Sequence, residues 1–179
     1  MARKVFLTGY RGAGKSSIGR ALAQGLGWAF WDIDERISSE EGHSIREMVE
    51  KRGWGYFRER ERKVLMDAAD YEGNLVVACG GGAVIHEDVW PAVKKSAMVV
   101  WLKAGIRTIL ERIEADPVTG ALRPALTDCP MEEEIRQVLD ARTPLYEKWA
   151  DISIDTDGRS QDEIVRKIMH IMDMLYRQT

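Results

Sequence analysis

The stretch "GYRGAGKS", Gly9–Ser16, decides the fold. It fits G-x-x-x-x-G-K-[ST] at every fixed position, between the apolar run "KVFLTG" and the amphipathic run "KSSIGRALAQGLG". Glycines let the backbone curl so that successive N–H groups point inward at phosphate oxygens. The helix that follows adds its positive N-terminal end. A loop of this kind places Gly12, Ala13, Gly14, Lys15, Ser16 and Ser17 around a nucleotide's phosphates. Lys15 is expected to reach the β- and γ-phosphates, and the Ser16 hydroxyl to ligate Mg²⁺. A glycine-rich structural turn needs neither Lys15 nor Ser16. The expected ligand is a nucleoside triphosphate. The chain has no guanine-reading N-K-x-D motif and is short for a motor or helicase core.

Outward from this loop, apolar runs recur in "KVFLTG", "WAFWDI", "NLVVACG", "AMVVWLK" and "DISIDT". Each is short and nearly continuous, as in strands buried on both faces of a parallel sheet. Helical segments alternate with them. "KSSIGRALAQGLG" carries Ile18, Leu22 and Leu26 on one face, and "SIREMVEKRG" runs from Ser44 as N-cap to Gly53 as stop. In the last helix Ile164, Ile168, Ile171 and Leu175 form a stripe beside Val165, Met169 and Met172, which reads as core packing. The pattern predicts an α/β fold: a five-stranded parallel sheet flanked by helices. Two stretches break the alternation. Residues 35 to 70 hold two helical segments in series, which reads as a substrate-binding subdomain at about 34–62. "ADPVTGALRPALTDCP", about 115–130, is rich in proline and reads as a mobile lid.

With 179 residues and no linker-like segment, one domain spanning 1–179 is expected. A net charge of −3 gives no bulk attraction to nucleic acid or an anionic membrane, so an anionic ligand must be drawn by local arginines. Cys79 and Cys129 lack metal-ligand spacing and read as reduced thiols. No run approaches the ~18 apolar residues of a membrane span, and "MARKVFLTGY" lacks a signal-peptide core, so a cytoplasmic protein is expected.

The acceptor is read from elsewhere. Asp32 and Asp34 end the second strand, and residues two apart on a strand face the same way, so both carboxylates can face the ligand crevice. The plainer alternative is that Asp34 caps the next helix. Arg58 and Glu61 lie three apart on a helix, where a pair is often surface decoration. Gly80, Gly81 and Gly82 end a buried strand, where either close packing or backbone contact with a ligand excludes side chains. Arg123 lies in the proline-rich loop, and Arg142 on or beside a helix with Tyr146 one turn on.

In this order the pieces resemble the shikimate kinase family: Gly9–Ser16, "DID" at 32–34, "FRERE" at 57–61, "GGG" at 80–82, "RPAL" at 123–126 and "RTPLY" at 142–146. The resemblance covers nearly the whole chain and implies a P-loop kinase fold. It implies ATP and Mg²⁺ as cofactors and shikimate as a small-molecule substrate, phosphorylated on its 3-hydroxyl by a monomer. It further implies that Asp34 binds the ring hydroxyls, including the attacking one, and that Arg58 and Arg142 hold the carboxylate together with Gly81. Glu61, Gly80 and Gly82 belong to the same substrate site. Asp32 joins Ser16 on the metal side, while Lys15, Asp34 and Arg123 carry the catalysis. Arg112 and Arg159 border the adenine. A polyhydroxy carboxylate independently calls for bidentate arginines and a carboxylate that can draw off a proton. Two other readings stand beside this one: a small kinase of another hydroxy acid such as gluconate, and a nucleotide-binding regulatory protein that has lost phosphotransfer.

Overall fold

A computed structural model describes residues 3–116 and 129–176. β1 (Lys4–Thr8) leads through the glycine loop into α1 (Lys15–Leu26). β2 (Ala29–Asp32) is followed by α2 (Ile33–Glu41) and α3 (Ile45–Asp70). After β3 (Leu75–Ala78) come a 3-10 turn at Ala83–Ile85 and α4 (Trp90–Ser96). β4 (Ala97–Lys103) runs into α5 (Ile106–Ala115), and α6 (Met131–Trp149), β5 (Ile152–Asp155) and α7 (Gln161–Tyr176) complete the described chain. No helix among the described residues is long and apolar enough to cross a membrane.

All five apolar runs form strands, in one parallel sheet of order β2-β3-β1-β4-β5. Phe6 at its centre stands opposite Val77 on one side and Val99 on the other. Both faces are covered, which is why the strands read as continuous apolar runs. On one face Val5, Leu7, Val76, Val100 and Leu102 meet Ile18 and Leu22 of α1 and Ile164 and Ile168 of α7. On the other, Phe6, Val77 and Val99 meet Val64 and Leu65 of α3, Trp90 of α4 and Tyr146 of α6. The predicted stripe of α7 therefore packs inward, except for Leu175, which is 49% exposed.

Two local features of the sequence set the acceptor side. First, β2 ends at Asp32, one residue before the apolar run "WAFWDI" does. Asp32 becomes the N-cap of α2 and its Oδ1 accepts from the backbone N–H of Asp34 (3.1 Å) and Glu35 (3.3 Å). This corrects the expectation that Asp32 and Asp34 share one face of a strand end, and the alternative that Asp34 is the cap: Asp34 lies in the first helical turn, and the cap is Asp32. Second, α3 starts at a capping box between Ser44 and Glu47 and is broken at Gly53, whose φ of 79° and ψ of 167° are not helical. The residues after Gly53 resume the helix on a new course.

The connection order opens a crevice. From β1 the chain crosses past β3 to reach β2, and from β3 it crosses past β1 to reach β4. Neighbouring strands thus send their chains in opposite directions, and a ligand crevice opens beyond their C-terminal ends. The segments carrying Gly9–Ser16, Asp32–Asp34 and Gly80–Gly82 all leave from that edge.

Candidate active site

The glycine loop curls around Lys15. Gly12 and Gly14 take φ of 77° and 92°, values that favour glycine. Lys15 is buried, and its Nζ donates to the carbonyls of Gly9 and Tyr10, both at 2.8 Å. Gly12, Gly14, Lys15, Ser16 and Ser17 line a large cleft together with Asp32, Asp34 and Arg112. Ala13 departs from expectation: it is buried in the core, and its N–H is spent on the Tyr10 carbonyl at 3.1 Å. Arg112 reaches over from α5, with Nη1 donating to the Gly12 carbonyl (3.0 Å) and to Thr156 Oγ1 (3.1 Å). It thereby ties the loop to the end of β5. Arg159, three residues beyond Thr156, is exposed and lines neither of the two cavities described here.

The residues fit a magnesium ion. The Ser16 hydroxyl donates to Asp32 Oδ2 at 2.5 Å, so a hydroxyl and a carboxylate oxygen meet at the mouth of the loop. Asp32 Oδ1 is engaged by the α2 cap, which leaves Oδ2 on the cleft side. Hard oxygen donors in this number suit Mg²⁺, which takes its remaining ligands from phosphates and water.

Against the cleft lies a second, smaller cavity, lined by Asp34, Arg58, Glu61, Gly81, Gly82 and Arg142, with Tyr10, Arg11, Ile45, Trp54 and Phe57. Arg58 Nη1 donates to Glu61 Oε2 at 2.6 Å. This pair is no surface decoration, because Glu61 is fully buried. The Arg58 guanidinium lies against Gly82, where a Cβ would come within 2.3 Å of Nη1. At Gly80 a Cβ would come within 2.3 Å of Glu61 Oε1 and 2.9 Å of Asp34 Oδ1. Gly80 and Gly82 are thus glycine because charged side chains occupy the space, whereas at Gly81 a Cβ would meet the loop backbone, 3.3 Å from the Arg11 nitrogen. Gly80 backs this arrangement without itself lining the cavity. The Gly81 carbonyl accepts from Arg142 Nη1 (3.0 Å) and from the Tyr146 hydroxyl (2.6 Å), which fixes Arg142 at the cavity wall. Burial pushes the Glu61 carboxyl towards protonation. The His86 hydrogen bond and the charge of Arg58 outweigh that, and its pKa lies below the usual carboxylate value. Burial pushes the Cys79 thiol and the Tyr146 hydroxyl well up, so both stay neutral.

Asp34 and Arg11 line both cavities. Arg11 escaped notice in the sequence because it fills a variable position of the loop motif. Its Nη2 pairs with Glu134 Oε1 of α6 at 2.8 Å, and Glu134 is 2% exposed. His86 also escaped notice; its Nε2 lies 2.9 Å from Glu61 Oε2, a contact 25 residues apart that only the fold creates. Arg123 and most of the expected lid lie outside the described residues.

Comparison with known proteins places this geometry in context. Residues 11–173 match the family model described as shikimate kinase. Shikimate kinase 2 of Yersinia enterocolitica is 39% identical over 172 residues, covering 96% of this chain and 97% of that protein. A structure of shikimate kinase from Acinetobacter baumannii in complex with shikimate has a TM-score of 0.88 at 32% identity, covering 96% of this chain and 93% of that one. A gluconokinase from Sinorhizobium meliloti shares the fold, with a TM-score of 0.65 at 21% identity, covering 98% of this chain and 97% of that one.

Proposed function

The chain belongs to the shikimate kinase family, and from that premise we propose how its residues divide the work of phosphoryl transfer. It is a kinase that transfers the γ-phosphoryl group of ATP to the 3-hydroxyl of shikimate, giving shikimate 3-phosphate and ADP. The gluconate alternative is weaker, since the gluconokinase neighbour speaks to the fold alone. The observation that carries the division of roles is the position of Asp34 in the wall shared by the two cavities.

On the nucleotide side, the loop amides of Gly12 and of Gly14 to Ser17 and the N-terminus of α1 hold the phosphates, while Lys15 leaves its loop carbonyls to follow the γ-phosphoryl group. Ser16 and Asp32 would hold Mg²⁺, which when bound neutralises charge on the β- and γ-phosphates. On the acceptor side, Arg58 and Arg142 grip the carboxylate, Arg58 aimed by Glu61 and Arg142 by the Gly81 carbonyl. Asp34 accepts a hydrogen bond from the attacking hydroxyl. As the hydroxyl oxygen bonds to the γ-phosphorus, the bond to the β–γ bridging oxygen breaks and the proton passes to Asp34. Arg11 stands between the two ligands and offsets the charge of the transferring group. The reading takes the protein as a monomer acting on a small molecule.

Two substitutions test the division. Asp34→Asn keeps the shape but cannot take the proton, and is expected to lower kcat by about 10²-fold or more with a small change in shikimate KM. Arg58→Ala is expected to raise shikimate KM by about tenfold or more with a smaller effect on kcat. Steady-state ADP release, with shikimate and ATP varied in turn, reads both. Near-normal turnover by Asp34→Asn would remove its role as base.

A further inference from the structure

Beneath the acceptor cavity, Glu61 Oε2 accepts two hydrogen bonds, from Arg58 Nη1 at 2.6 Å and from His86 Nε2 at 2.9 Å. Glu61 is fully buried and His86 is 8% exposed. An ionised carboxylate only accepts, so the proton sits on His86 Nε2. Glu61 Oε1 has no hydrogen-bond partner among the described residues, so the orientation of the carboxylate rests on Oε2 alone. The 3-10 turn after the glycine triplet fixes the His86 backbone: its N–H donates to the Ala83 carbonyl at 3.2 Å, and its carbonyl accepts from Val89 N–H at 3.0 Å. His86 lines neither cavity described here, so it reaches a ligand only through Glu61.

We propose that His86 is a positioning residue of the acceptor site: by donating to Glu61 Oε2 it holds the carboxylate that aims the Arg58 guanidinium at the acceptor's carboxylate. The inference rests on the reading that Arg58 grips that carboxylate. The physical need is specific. A buried carboxylate is driven towards its neutral form, and a neutral Glu61 no longer holds a guanidinium by charge. The His86 donor keeps Glu61 anionic and prevents its rotation, while Gly82 leaves the guanidinium room on the cavity side.

The test compares His86→Leu and His86→Asn, which cannot donate at the Nε2 position, with His86→Gln, whose amide N–H reaches it. Shikimate and ATP are varied in turn, and the neutral carboxamide of shikimate is measured as an inhibitor. In His86→Leu and His86→Asn, shikimate KM is expected to rise about tenfold with kcat within about twofold and ATP KM unchanged. His86→Gln is expected to recover most of the loss. The carboxamide, which offers Arg58 no charge, is expected to bind all forms within about threefold of one another. If Leu fails to fold, Asn carries the same expectation. An unchanged shikimate KM in a folded Asn variant overturns the inference, as does a His86→Gln variant no better than Asn, or a loss shared equally by kcat and both KM values. Arg58→Ala is run beside them: an unchanged shikimate KM there overturns the underlying reading of Arg58, whereas a raised one with unaffected His86 variants sinks the role of His86 alone.

Discussion

At Gly82 the backbone has φ −97° and ψ −3°, a conformation alanine adopts without strain. What excludes a side chain is the Arg58 guanidinium, 2.3–2.6 Å from where the new carbon would stand. Gly82→Ala is therefore expected to leave stability within about 1 kcal/mol, because a flexible arginine tip moves rather than a backbone. The moved guanidinium no longer matches the acceptor, and shikimate KM should rise about tenfold while ATP KM holds. Thermal unfolding and two-substrate kinetics on one preparation check both halves. A variant with normal shikimate KM would show that Arg58 does not need this seat. Gly80 is the harsher position, since a Cβ there meets both the Glu61 and Asp34 carboxylates. The triplet's meaning was half visible in the sequence: that a side chain is unwelcome there, but not that two carboxylates displace it at Gly80, an arginine at Gly82 and the loop backbone at Gly81.

Among the elements, α3 shows how a helix can be broken on purpose. The Ser44–Glu47 capping box starts it firmly, and Gly53 breaks it at φ 79° and ψ 167°, a region that only glycine enters readily. The turn that follows carries Trp54, Phe57 and Arg58 into the cavity wall. No atom lies within 4 Å of a Cβ at Gly53, so any cost of alanine there is conformational. Gly53→Ala is expected to lower stability by about 1–3 kcal/mol in chemical denaturation and to raise shikimate KM more than ATP KM. Stability equal to the parent's would mean that the helix can run straight and the break is incidental. Both helix boundaries here were legible, because capping and stopping are local events written in neighbouring residues. The start of α2 was not. "WAFWDI" reads as strand through Ile33, and only the side chain of Asp32, folding back on two amides, ends it one residue earlier. That small shift moves Asp34 from a strand to a helical turn and gives its carboxylate to the wall between the cavities.

For the whole molecule, the sheet order brings three strand-end segments to one edge, and the strands themselves were legible because burial on both faces leaves continuous apolar runs. Long-range pairings leave no such trace. Arg11 sits at a variable place in its motif, and its partner Glu134 lies on α6. Tyr10 packs with Ile109 of α5 and with Ile135 and Val138 of α6, so the glycine loop and the last helix before β5 form one cluster. The Arg11–Glu134 pair is buried, with side chains 14% and 2% exposed, and Arg11 borders both ligand cavities. It therefore does two things that a single substitution confounds: it neutralises a buried carboxylate, and it presents charge to both cavities. Arg11→Ala is expected to cost about 3–5 kcal/mol of stability, because the buried Glu134 carboxylate loses its ion pair with Arg11. Adding Glu134→Gln removes that charge, and the double variant should regain most of the stability. Its kcat should stay about tenfold or more below the parent's, with both KM values raised, since the guanidinium that borders both cavities is gone while Lys15 remains on the nucleotide side of the loop. Denaturation midpoints and two-substrate kinetics separate the effects. If kcat returns along with stability in the double variant, Arg11 serves only to balance Glu134.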